Sequence, residues 1–197
     1  MFNYGFRTEL KHSNIFAHAR ADVNGDKVPE NVFLSGTKAE DGSYITNITL
    51  VIQNVMSGVS VNIPLKENSG YNPTLFLGDF TGDGVNDILV SIITGGSGGT
   101  MIHYVYSFIN NVPRLLFDFE AYNEQYKYDV TYKNNYKVEV ISRENRVKYI
   151  LDISYRDKEY LDEIYNRERK LKKPVSGFVN SLSGLYPVDF DSNKVYE

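Results

Sequence analysis

Leu75-Phe76-Leu77-Gly78-Asp79-Phe80-Thr81-Gly82-Asp83-Gly84-Val85-Asn86-Asp87-Ile88-Leu89-Val90 holds an apolar run, a polar loop and a second apolar run. Within 79–87, oxygen-bearing side chains stand at the first, third, fifth and ninth positions: Asp79, Thr81, Asp83 and Asp87. Three carboxylates in so short a loop repel one another unless a cation lies among them. Oxygen donors at this density suit Ca2+, which takes about six to eight oxygens in a flexible shell. Gly82 and Gly84 permit the left-handed backbone angles that let nearby side chains converge on one point. Val85, at the seventh position, offers its backbone carbonyl, so its side chain need not be polar.

Two other readings compete. An EF-hand loop opens on a similar pattern, but it needs a Glu at position twelve and a helix on each side. Position twelve here is Val90, and the flanks 75–80 and 88–93 are rich in β-branched and aromatic residues, which favour strands. A metal-free Asp-Gly turn is the other rival. The loop is not isolated, however. Asp22-Val23-Asn24-Gly25-Asp26-Lys27-Val28-Pro29-Glu30 carries oxygens at the same positions, on Asp22, Asn24, Asp26 and Glu30. Asp189-Phe190-Asp191-Ser192-Asn193-Lys194-Val195-Tyr196-Glu197 does so on Asp189, Asp191, Asn193 and Glu197. Val28, Val85 and Val195 share the seventh position. The loop starts are about 57 and about 110 residues apart, the second interval being close to twice the first, which signals a repeat architecture.

These loops resemble the D-x-[DN]-G-D-G-x-x-D calcium loops of FG-GAP and VCBS repeats, as in the integrin alpha-subunit propeller. The resemblance covers two clear repeats, about 16–118, and a degenerate loop at 189–197. It implies that each repeat is a four-stranded propeller blade whose first two strands are joined by the calcium loop. The second loop departs only at Thr81. The first departs at Lys27, where Gly is usual, and at Glu30. The third has Ser192 and Lys194 in place of both glycines.

At 197 residues the chain can bury one sizeable core or a single repeat array. A formal charge of −4 gives a nucleic-acid role little support. No apolar run approaches the roughly 18 residues of a membrane span. Cysteine is absent, which excludes disulfides and thiolate sites. The first 14 residues lack the apolar core and cleavage site of a signal peptide. Calcium loops of modest affinity fit an extracellular or cell-surface setting.

The first blade-like repeat is expected over about 15–65. Its strands fall at 15–21, 32–35, 45–53 and 59–63, with turns near 40–43 and 56–58. The second is expected over about 73–120, with strands at 74–80, 88–93, 101–109 and 114–119. The Gly-rich stretch 95–99 lacks the following helix and Lys of a phosphate loop and is expected to be a flexible connection. Asn110-Asn111 marks the next turn. The divergent segment 121–184 is expected to hold strands at 128–132, 137–142 and 147–154. A single helix is expected over 160–172, with Leu161, Ile164, Tyr165 and Leu171 on one face and Pro174 beyond its end. A partial repeat at 185–197 follows. The fold expected is mainly β: an incomplete propeller-like array of four-stranded antiparallel blades in a single repeat domain. Such an array leaves open edges, and three outcomes stand as alternatives: closure by other means, completion by a C-terminal segment, or assembly with another chain.

Other chemistry is sparse. His12 and His18 lie six apart, where an extended strand would put them on one face, but two unrelated histidines are the simpler reading. His103 stands alone. No nucleophile elbow, zinc-protease motif or phosphate-binding motif is present. The 16 Tyr suit strands and, where exposed, stacking on sugars or peptides. The basic run 167–173 fits a solvated helix end. The function expected is a calcium-stabilised, non-enzymatic binding or adhesion module for a protein or carbohydrate ligand. The alternatives are a polysaccharide-active enzyme or its accessory domain, and a metal-free scaffold.

Overall fold

The computed structural model describes residues 14–39 and 42–197. His12 and the start of the turn expected at 40–43 lie outside the described residues. Among the described residues, three antiparallel four-stranded sheets and two short α-helices make up a mainly β fold. Strands β1 Asn14–Ala21, β2 Glu30–Lys38, β3 Ile45–Gln53 and β4 Ser60–Pro64 form the first sheet in chain order. Strands β5 Tyr71–Gly78, β6 Asp87–Ile93, β7 Met101–Ser107 and β8 Arg114–Asp118 repeat that order in the second. Both meanders match the strands expected from alternation, with boundaries displaced by up to three residues.

The chain divides into two compact units, Met1–Phe119 with Leu182–Glu197, and Glu120–Ser181. In the first unit, register and alternation decide the core. Val32, Leu34, Leu50, Ile52 and Ile63 from the first sheet join Ile88, Val90, Ile92, Ile102 and Tyr104 from the second in one buried cluster. The opposite face of the second sheet is also covered. Leu89, Ser91, His103 and Val105 point that way and are buried. The segment 182–197 lies over them: Met101 N–H donates to the Leu182 carbonyl at 3.3 Å, and the Tyr196 ring stands edge-on to Phe76 at 4.9 Å. Strand β6 is therefore apolar on both faces, which explains its near-continuous Ile-Leu-Val run.

The second unit holds β9 Tyr128–Lys133, β10 Lys137–Ser142, β11 Lys148–Asp152 and the two-residue β12 Ser176–Gly177, in the spatial order β11-β10-β9-β12. The helices are α1 Phe119–Gln125, which the sequence pattern did not reveal, and α2 Lys158–Ile164. The single helix expected over 160–172 is thus corrected: α2 starts two residues earlier and stops at Ile164. Asn166 is the reason. Its side-chain oxygen accepts from the Glu168 and Lys170 N–H groups at 3.0 and 2.9 Å, a local alternative to helical bonding. Arg169 adopts φ 59°, and Tyr165 pairs with Leu171 across the resulting turn. The apolar face survives the change, because Leu161 and Tyr165 are buried and Ile164 and Leu171 pack beside them.

Candidate functional site

The first two loops connect β1 to β2 and β5 to β6, the third follows residues 185–188 in the same unit, and the three share one hydrogen-bonded frame. At position one, Asp22 accepts from the Gly25 and Lys27 N–H groups at 2.7 and 2.8 Å. Asp79 accepts from Thr81, Gly82, Asp83 and Gly84 at 2.6–3.3 Å. Asp189 accepts from Asn193 and Lys194, both at 3.0 Å. At position five, Asp26, Asp83 and Asn193 each accept from the Val N–H two residues on, at 2.7–2.9 Å. At position nine, Glu30 and Asp87 reach back to the N–H of position two, Val23 at 3.3 Å and Phe80 at 3.0 Å. Glu197 does not; it is exposed and exchanges backbone bonds with Val188.

This frame requires left-handed angles at positions four and six. Gly25, Gly82 and Ser192 hold φ 88°, 76° and 60°; Lys27, Gly84 and Lys194 hold 69°, 83° and 71°. The glycines legible in the sequence therefore mark a conformation that the non-glycine residues also adopt.

The loops stack. The Asn86 N–H, at position eight of the second loop, donates to the Asp22 carbonyl of the first at 3.2 Å. The Tyr196 N–H, at position eight of the third, donates to the Asp79 carbonyl of the second at 2.7 Å. A Cβ built on Gly25 would lie 3.4 Å from Val85, and one on Gly82 would lie 3.9 Å from Val195. Val85 and Val195 thus each sit over the position-four glycine of the preceding loop. Pro29 occupies position eight of the first loop and has no N–H to offer a preceding one.

The electrostatics are strained by like charges. Glu30 and Asp87 are fully buried, and burial pushes both carboxyls above the ordinary range, with Asp26 and Asp22 or Asp83 and Asp79 adding repulsion. Burial also raises Asp79, but the four backbone donors from Gly84, Gly82, Asp83 and Thr81 outweigh it and hold this carboxyl below its ordinary value. None of the ion pairs among the described residues takes in a loop carboxylate.

In the first loop, the Asn24 amide nitrogen donates to Asp26 Oδ2, Glu30 Oε1 and Asn111 Oδ1 at 3.1, 3.1 and 3.2 Å. Three oxygens thus converge on one donor. Asn111 was not singled out as a donor from the sequence; it arrives from the turn after β7, where Asn110 N–H also donates to the Asn24 carbonyl at 3.0 Å. Thr81 lies near Asp79, its hydroxyl donating at 3.4 Å, and in the third loop Asn193 donates to Asp191 at 3.0 Å. Among the described residues no group of three or more His, Cys, Asp and Glu side chains has metal-holding geometry. Of the carboxylates that the sequence assigns to a cation, those of Asp22, Asp26, Glu30, Asp79, Asp83, Asp87 and Asp189 accept from backbone N–H groups, and those of Asp26, Glu30 and Asp191 accept from amides. Beside the second and third loops lies a cleft of about 330 Å3, lined by Phe80, Phe117, Leu185, Tyr186 and Tyr196 among others. No helix among the described residues is long and apolar enough to cross a membrane.

Residues 126–197 match the family described as the YybI C-terminal domain, a stretch that takes in most of the second unit and the third loop. The uncharacterised protein YybI of Bacillus subtilis (strain 168) is 46% identical over 194 residues, spanning 98% of this chain and 74% of that protein. No solved structure matches the chain. The chain therefore belongs to the YybI family.

Proposed function

We propose that the chain is a calcium-stabilised module of FG-GAP/VCBS-like, blade-like repeats with a non-enzymatic binding role at a cell surface or outside the cell. One observation carries this reading: three loops with oxygens at the same positions adopt one frame and stack in register along one edge of paired four-stranded sheets. The donor set fits a hard cation. It is made of oxygens, it is acidic, and it buries Glu30 and Asp87 with no ion pair to a basic side chain among the described residues. Asp22, Asn24, Asp26, Glu30 and the carbonyl of Val28 would hold one ion, with Asn111 joining them. Asp79, Thr81, Asp83, Asp87 and the carbonyl of Val85 would hold a second. Asp189, Asp191, Asn193 and the carbonyl of Val195 form a weaker set, because Glu197 turns away. A bound cation supplies charge neutralisation, so its binding energy adds to folding stability.

The aromatic cleft beside the second and third loops supports the binding role. Tyr186 is 77% exposed there, and its ring offers a stacking face to a carbohydrate or peptide. Thermal unfolding of an Asp83→Ala variant tests the metal role. Asp83 is exposed and accepts one loop hydrogen bond, so in chelator the substitution costs about 1 kcal/mol. In Ca2+ the loss is larger, by about 2 kcal/mol more if the wild-type loop is saturated. An equal loss in both conditions contradicts the role and favours a metal-free scaffold.

A further inference from the structure

Among the described residues, strand β11, Lys148–Asp152, is the open edge of the sheet in the second unit. The opposite edge, β12, is only two residues long, a length that gives little to pair with. All five residues of β11 are exposed, among them Tyr149, Ile150 and Leu151 at 50–54%. Such an apolar edge strand is a template for a further strand. Its backbone polarity is fixed by its inner neighbour. The Val147 carbonyl accepts from Ser142 N–H and the Ile153 N–H donates to the Tyr136 carbonyl, both inward. Alternation then turns the N–H and C=O groups of Lys148, Ile150 and Asp152 outward.

The sequence of this edge is complementary to itself. In Lys-Tyr-Ile-Leu-Asp, an antiparallel pairing centred on Ile150 sets Lys148 opposite Asp152, Tyr149 opposite Leu151 and Ile150 opposite Ile150. The three outward-facing residues are the ones that exchange N–H and C=O bonds in that register. The faces agree as well. Tyr149 and Leu151 are registered with Val140 and Val138 on the apolar side of the sheet, whereas Lys148, Ile150 and Asp152 are registered with Ile141, Glu139 and Lys137 on the charged side. Opposite charges directly across a strand pair stabilise it.

We propose that β11 pairs with β11 of a second copy about a two-fold axis at Ile150, giving a continuous eight-stranded antiparallel sheet. The occupant is a second copy because only that strand brings Asp152 to Lys148 at both ends and Leu151 to Tyr149 between them. Such an isologous contact closes on itself and yields a dimer.

Sedimentation velocity of the full chain over a micromolar-to-millimolar series tests this. The expected mass rises to twice that of the chain. Ile150→Lys sets two ammonium groups against each other on the axis and weakens association at least tenfold, with an unchanged circular dichroism spectrum because Ile150 is exposed. Lys148→Asp and Asp152→Lys each weaken association, and the double variant restores it. The internal pairs Lys148–Glu139 and Lys137–Asp152 stay broken in the double variant, so restoration reports the pairing between copies. A chain that remains monomeric throughout the series overturns the proposal. So does a dimer indifferent to Ile150→Lys, or a double variant no better than the single ones.

Discussion

Lys27 and Lys194 hold the left-handed angle that Gly84 holds in the middle loop, and the three positions are equivalent. A Cβ in that region costs about 1 kcal/mol, whereas glycine carries a smaller entropic cost. Lys27→Gly should therefore raise stability by about 0.5 kcal/mol in urea denaturation. Gly84→Ala should lower it by about 1 kcal/mol, a pure backbone effect because a Cβ there meets nothing within 4 Å. The opposite signs would show that the loops do not share one frame. His103 makes a second case. Its ring is buried, Nδ1 lies 2.9 Å from Ser91 Oγ, and Nε2 has no partner among the described residues. Burial lowers its pKa below 6.5, so the unfolded chain takes up this proton first. The stability tied to neutral His103 is present above about pH 6.5 and is lost as pH falls through the lower native value. Chemical denaturation from pH 8 to 5 should show that decline, and His103→Gln should flatten it.

At the scale of elements, the strands were legible because alternation and turn residues agree along most of the chain. The loops were legible from their spacing alone. What the sequence concealed were contacts between distant segments. Val85 and Val195 read as residues tolerated for their carbonyls, yet their side chains cover Gly25 and Gly82 of the preceding loops. Asn111 read as a turn residue, and its second role needs the first loop folded beside it. The end of α2 was misread because helical periodicity persists through Leu171, while a single amide, Asn166, diverts the backbone. The segment 185–197 read as a fragment of a repeat; in the structure it covers the second sheet and is held by Tyr196 against Phe76 and Phe80. Tyr196→Ala removes that ring cluster and should cost about 2–3 kcal/mol. Hydrogen exchange should then quicken at the amide of position 196, bonded to the Asp79 carbonyl, and along β5, where Gly78 meets the ring in the wild-type chain. Unchanged protection in β5 would contradict the covering role.

For the whole molecule, the stacked loops give the first unit a direction. Pro29 begins the stack, and the second and third loops each bond back to the one before. Stability of this edge depends on how the acidic loops are neutralised. The N–H groups and amides already bonded there set the frame, and on the proposed reading Ca2+ supplies the remaining charge. Occupancy at about a hundred times the dissociation constant adds about 2.7 kcal/mol per site. For a chain of this size that corresponds to a rise of several degrees in melting temperature. The most direct test is thermal unfolding of the full chain in excess Ca2+ and in EGTA, with bound metal counted by mass spectrometry. The account predicts one Ca2+ for each of the first two loops and a melting temperature several degrees lower in EGTA. No bound metal and identical melting in both buffers would contradict it and leave the loops as self-satisfied acidic turns.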